Sequence, residues 1–211
     1  MTGQKQVGKL SGMERWQRVA RRIRVPLGFV AAAVYLFELW RHEPAAAAIA
    51  WSLVLVAPGV GLRAYASGYV KKNRELAQTG PYAYTRNPLY LGSVLIGAGF
   101  AVALGSWAFA LVLVVFFAAI YIPVIASEER FLRSAFAEFD GYCKRVPRLI
   151  PRLTPARDET AASAEDGAAG GFSLKLYLRH REYNALLGAA LLYLSLLFLR
   201  PACEAVLKRV Q

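Results

Sequence analysis

Two stretches of this sequence carry residue types that do chemistry as well as fill space. The first is GPYAYTRNPLYLGS, residues 80–93, in which Tyr82, Tyr84, Arg86 and Tyr90 are set among two prolines. The second is Glu128-Glu129, which closes a long apolar run. Gly80-Pro81 reads as a turn, and Asn87-Pro88 as a second turn or a helix start, since proline is tolerated in a first helical turn. Tyrosine is common at membrane borders, so the rings alone do not define a site. The acids are the sharper signal. Two carboxylates at the exit of an apolar helix do nothing for insertion and are costly if buried unpaired. A bound cation would account for them, and so would pairing with Arg130 or Arg133.

The elements that must position these groups follow from the hydropathy pattern. The chain has 211 residues, 56% of them hydrophobic, and a formal charge of +12. The apolar residues come in blocks and the charges lie between the blocks. Trp107–Ala126 is free of charge and has the ~20 residues that a bilayer crossing needs. Val25–Trp40, Ala45–Gly61 and Leu89–Gly105 are shorter. A fifth block, Ala185–Leu199, would cover only ~22 Å as a helix. The reading is an all-α integral membrane bundle with four core transmembrane helices and a fifth, C-terminal one. Gly92, Gly97 and Gly99 lie along the third block, where small residues allow helices to pack closely or a ligand to approach the backbone.

Basic residues mark the cytoplasmic side, and they cluster in 1–24, 63–86 and 144–157. The N-terminus and both chemistry-bearing stretches then lie on that side, where 63–88 and 127–153 can meet. Four segments result: a basic N-terminal segment 1–24, a membrane core 25–153, a linker 154–171 of small polar and acidic residues, and a C-terminal amphipathic or transmembrane appendix 172–211. No cleavable signal peptide is expected, because no small-residue cleavage site follows the first apolar block. Cys143, Cys203, His42 and His180 have no metal-ligand spacing, and neither a metal nor a nucleic-acid partner is expected. Alanine and arginine richness points to a bacterial inner membrane, and the patch Gly188-Ala189-Ala190 suits an oligomer contact through the last helix.

After Glu129, apolar residues Phe131, Leu132, Ala135, Phe136 and Phe139 recur at helical spacing, which predicts an amphipathic helix near the membrane face. VPRLIP, residues 146–151, ends it. The set GPYAYTRNPLYLG, apolar hairpin, EERFL and F..F..YCKRVPRLIP resembles the isoprenylcysteine carboxyl methyltransferase and phospholipid methyltransferase superfamily over residues 70–153. These are integral membrane enzymes that use S-adenosylmethionine.

The resemblance implies a methyl donor held by Leu76, Tyr82, Asn87, Pro88, Leu89, Tyr90, Gly97, Gly99, Glu128 and Glu129. It implies transfer to a membrane lipid or prenylated substrate. By their chemistry Glu129, Arg130 and Arg133 are the catalytic candidates, the arginines to orient an anionic acceptor, a role also open to Arg145. Carboxylates suit the donor's ammonium and sulfonium, and an arginine or backbone N–H suits its carboxylate. An ionised carboxylate acceptor needs no base; an amine acceptor needs one, with Glu128, Glu129 or Tyr90 as candidates. Asn87 stands where the family usually has histidine, and an amide cannot titrate. Two other readings fit. Asn87-Pro88-Leu89-Tyr90 is similar to an element of membrane sterol and steroid reductases, which use NADPH. A non-enzymatic interaction protein on the same fold is the third.

Overall fold

The computed structural model describes residues 12–70, 75–156 and 171–210. Lys5, Lys9, Lys71, Lys72, Arg74, Arg157 and most of the expected linker lie outside them. Seven α-helices make up the described chain: α1 Gly12–Arg41, α2 Ala46–Ser67, α3 Pro88–Leu104, α4 Trp107–Ala135, α5 Phe139–Arg145, α6 Leu174–His180 and α7 Tyr183–Val210. A 3-10 turn, Gly80–Ala83, precedes α3. No strand occurs among the described residues, in keeping with the all-helical reading.

Each expected apolar block falls in a helix to within a residue, and α1, α2, α4 and α7 run on beyond their blocks. α1 runs from Gly12 through the basic stretch 15–24 into the first apolar block without a break. α4 continues past Ala126 for nine residues, carrying both acids out of the apolar run on a rigid rod. Two helices, α2 and α4, are long and apolar enough to cross a membrane. The pair α6–Leu199, bent by 60°, is a third candidate. α3 has 17 residues, about 26 Å of helix.

α3 and α4 form a hairpin whose turn is written in two residues. Gly105 ends α3 at φ 62°, a left-handed conformation that suits glycine at a helix C-terminus. Ser106 caps α4 by accepting the Phe109 N–H at 3.1 Å, which satisfies one of the orphan donors of the first turn. At the other end, Pro88 occupies the first turn of α3, where its missing N–H costs nothing. The chemistry-bearing ends of α3 and α4 therefore emerge side by side.

α2 packs along α3, and α1 along α4. Close approach of α2 and α3 depends on glycine. A Cβ on Gly59 would lie 2.8 Å from the Gly92 carbonyl oxygen, and one on Gly99 would lie 2.9 Å from the Ser52 carbonyl oxygen. The apolar core joins Tyr35 and Leu39 of α1, Val56 of α2, Phe100 and Leu104 of α3, Phe109 of α4, and Ala189 and Leu196 of α7.

The C-terminal helices are packed onto this core. The Tyr35 hydroxyl lies 2.5 Å from Ser195 Oγ, and Ser52 Oγ lies 2.7 Å from the Tyr193 hydroxyl. Arg63 pairs with Glu182 at 2.7 Å. These hydroxyls and the Arg63–Glu182 pair thereby find partners, which is how buried polar groups avoid much of the cost of desolvation.

Candidate active site

The segment before α3 and the segment after α4 are laced together by backbone. The Arg86 N–H donates to the Pro147 carbonyl at 3.0 Å, the Arg152 N–H to the Tyr84 carbonyl at 3.0 Å, and the Ala156 N–H to the Ala83 carbonyl at 2.9 Å. Side chains add to the lacing. Thr85 Oγ1 donates to the Leu149 carbonyl at 3.0 Å. Asn87 Nδ2 donates to the Arg148 carbonyl at 2.8 Å. The Tyr142 hydroxyl donates to the Tyr82 carbonyl at 2.8 Å. Prolines at 81, 88, 147 and 151 keep both segments out of helix, leaving their backbone groups free to pair with each other.

Below this lacing lies a second small core. Phe139, Tyr142 and Val146 are buried, and Leu76, Leu132 and Phe136 pack against them. Burial pushes the Tyr142 phenol up from its ordinary range. The Tyr82 phenol is pushed up by burial first and then by neighbouring Tyr142 and Glu128. Both rings are therefore neutral hydrogen-bonding groups at physiological pH.

The charged groups meet at the mouth of the α3–α4 hairpin. The Tyr90 hydroxyl donates to Glu128 Oε1 at 2.9 Å, and the Tyr90 ring stands edge-on to Tyr121 at 4.6 Å. Glu128 is exposed, whereas Glu129 is 8% exposed. Glu129 is gripped by two arginines. Arg86 Nη1 lies 3.0 Å from Glu129 Oε1, and Arg148 donates from Nε at 3.0 Å and from Nη2 to the other oxygen. That bidentate bond holds the Arg148 guanidinium above its ordinary range. Arg86 also reaches Cys143 Sγ at 2.7 Å, yet its Nε is buried with no hydrogen-bond partner among the described residues.

Most of the sequence-derived candidates gather here: Tyr82, Asn87, Pro88, Tyr90, Glu128 and Glu129, with Leu76 in the small core beside them. Leu89 is half-buried, and its carbonyl accepts from Arg63 at 3.1 Å. Gly97 and Gly99 face helices: a Cβ on Gly97 would lie 2.8 Å from the Phe117 ring of α4, and Gly99 abuts α2. Arg130 is exposed, and Arg133 pairs with Asp140 at 2.7 Å. The arginines that do hold Glu129 are Arg86 and Arg148, where the sequence pointed to Arg130 or Arg133 as partners of the acids. The signal for Arg86 and Arg148 was a proline close by, Pro88 two residues after Arg86 and Pro147 just before Arg148, which marks each segment as non-helical.

The arrangement offers an exposed carboxylate with a phenol on one side, and an arginine with an unfilled donor on the other. It can hold a small molecule that carries both signs of charge. Residues 45–138, a little under half of the chain, match the family model "Phospholipid methyltransferase", and this part of the chain is similar to that family. Two curated relatives align over 96 residues, 46% of this chain. They are the cobalt-zinc-cadmium resistance protein CzcN of Cupriavidus metallidurans, 43% identical, and the nickel-cobalt-cadmium resistance protein NccN of Alcaligenes xylosoxydans xylosoxydans, 40% identical. The chain spans less than half of either, 44% of its length. No solved structure matches the chain significantly.

Proposed function

We propose that this chain is a membrane methyltransferase that binds S-adenosylmethionine at the mouth of the α3–α4 hairpin and methylates a hydrophobic, lipid-like acceptor. α1 to α4 form the membrane core of the enzyme, and the bent α6–α7 pair adds a further span. The observation that carries this reading is the meeting of Tyr90–Glu128 with the Arg86–Glu129–Arg148 cluster, across 38 residues of chain.

The residues present fit the donor. The buried, unfilled Nε of Arg86 and the half-exposed guanidinium of Arg148 suit a carboxylate. The exposed Glu128 carboxylate and the Tyr90 hydroxyl suit an ammonium or ribose hydroxyls. Glu129 acts through others here: it fixes both arginines. When bound, such a donor would supply a methyl group on a sulfonium, open to attack by an acceptor's lone pair. The protein's part is to hold donor and acceptor close and in line, which accounts for large rate gains without a catalytic base. Arg130, exposed beside Glu129, is placed to orient an anionic acceptor. Arg133 is engaged with Asp140 instead.

A reductase using NADPH remains the second reading, favoured by one feature: two arginines on one glutamate leave a local charge of about +1, which suits phosphates as well. Membranes containing the protein, incubated with methyl-labelled S-adenosylmethionine and resolved by mass spectrometry, test the proposal. A labelled lipid product that disappears in Glu128→Gln supports it; label found nowhere above vector-only membranes overturns it. The relatives' names add a physiological arm, that loss of the gene lowers tolerance to cobalt or cadmium.

A further inference from the structure

A cavity of about 510 Å³ lies between α2, α3 and the α6–α7 elbow, within the ~300–1,000 Å³ range of ligand pockets. It is separate from the site above. Ser93 and Ile96 of α3 line it, whereas Tyr90 and Gly97 face α4, on average about 80° around the helix by the 3.6-residue turn.

The cavity is charged at one end. Arg63, His180, Arg181 and Glu182 line that end. Arg63 Nη1 donates to Ser93 Oγ at 2.5 Å and Nη2 to Glu182 at 2.7 Å. Its Nε is buried with no hydrogen-bond partner among the described residues, a donor with nothing to give to. His180 Nδ1 lies 3.0 Å from the Ser67 carbonyl. A carbonyl only accepts, so Nδ1 carries the hydrogen, and Nε2 is left for another partner. Arg181 sits at the elbow with φ 54° and its side chain exposed. Two guanidinium groups against one carboxylate leave this end positive.

The other end is apolar, walled by Ile96, Ala189 and Leu192. A Cβ on Gly188 would meet nothing within 4 Å, so the wall is open there. From Glu182 to Leu192 the cavity follows α7 for about 15 Å. Its charged end lies level with the C-terminus of α2 and the N-terminus of α3, where the apolar helices give way to the polar segments. Its apolar end reaches inward.

We propose that this cavity binds a phosphate-headed lipid, head group on Arg63 and Arg181, first acyl carbons between Ile96 and Leu192. Such a ligand sets its negative head against the Arg63 and Arg181 guanidinium groups and ties α6–α7 to the core. The proposal stands whether or not the hairpin site transfers methyl groups. The full chain, purified in detergent and stripped of lipid, is followed by thermal unfolding and native mass spectrometry. It is titrated with dioleoylphosphatidylglycerol, dioleoylphosphatidylcholine and inorganic phosphate. Expected is about tenfold tighter binding of the anionic lipid than of the zwitterionic one, with inorganic phosphate giving neither a shift nor an adduct. Gly188→Leu, which fills the cavity, and Arg181→Ala, which removes its exposed charge, each weaken the anionic lipid about fivefold or more while the lipid-free unfolding temperature holds. Equal binding of both lipids, an equal shift from inorganic phosphate, or full binding by Gly188→Leu overturns the proposal.

Discussion

Replacing Glu129 with glutamine is the perturbation whose cost can be worked out most directly. The Glu129 side chain is 10% exposed and its Arg86 partner 14%, so this is a buried pair. Arg148 is 53% exposed, and water screens most of its share. Glutamine keeps an acceptor oxygen but removes the charge, which leaves Arg86 as a buried cation with one donor already unfilled. Breaking a buried pair from one side costs about 3–5 kcal/mol; the retained acceptor puts the expected loss near the low end, about 3 kcal/mol. For a chain of this size each kcal/mol moves the unfolding temperature by about 2–4 °C, so a fall of roughly 6–12 °C is expected. Thermal unfolding in detergent reads it. Adding Arg86→Met removes the stranded cation, and the double variant should recover at least ~1 kcal/mol relative to the sum of the singles. A fall below about 2 °C for Glu129→Gln, or strict additivity in the cycle, would refute the view that Glu129 is the counter-charge holding this corner together.

Asn87→Ala removes the donor to the Arg148 carbonyl and should cost about 1–2 kcal/mol, read by the same unfolding assay. Gly99→Ala forces a Cβ against Val56 and the Ser52 carbonyl and should cost about 1–3 kcal/mol through overpacking. Arg133→Ala, in a surface pair with Asp140, should leave the unfolding temperature unchanged. The Tyr82 and Tyr142 phenols are raised from the ordinary value of 10.0, so the folded protein holds these protons more tightly than the unfolded chain. Their contribution is complete below pH 10 and declines above it as the unfolded-state phenols ionise. Stability measured from pH 8 to 11 should fall above 10, less steeply in Tyr142→Phe.

Much of the fold was legible because hydropathy in a membrane-type chain reports directly on helices. The apolar blocks at 25–40, 45–61, 89–105 and 107–126 coincide with parts of α1 to α4, to within one residue at Ala45 and Gly105, and the Gly105-Ser106 turn was readable from residue type. The α4 overrun was partly legible, in the helical spacing from Phe131 onward, although the structure breaks that spacing at Phe136 and starts α5 anew. The lacing of 83–87 to 147–156 was not, since backbone pairing between two non-helical segments leaves no periodicity. For the same reason the arginine partners of Glu129 were hidden. Arg133 is one helical turn from Glu129, the spacing at which ion pairs usually form, yet Asp140 engages it and the remote Arg86 and Arg148 take the acid. The seating of α6–α7 on the core was also out of reach. Its anchors are single hydroxyls, Ser52, Tyr193, Ser195 and Tyr35, ordinary in an apolar helix until their partners are known.

One titration tests the enzyme reading most directly: calorimetry of the full chain in detergent micelles against S-adenosylmethionine and, in parallel, NADPH. Saturable binding of S-adenosylmethionine alone, lost in Glu128→Gln and in Arg148→Ala, is the predicted result. Saturable binding of NADPH with none of S-adenosylmethionine, or no binding of either, would contradict it.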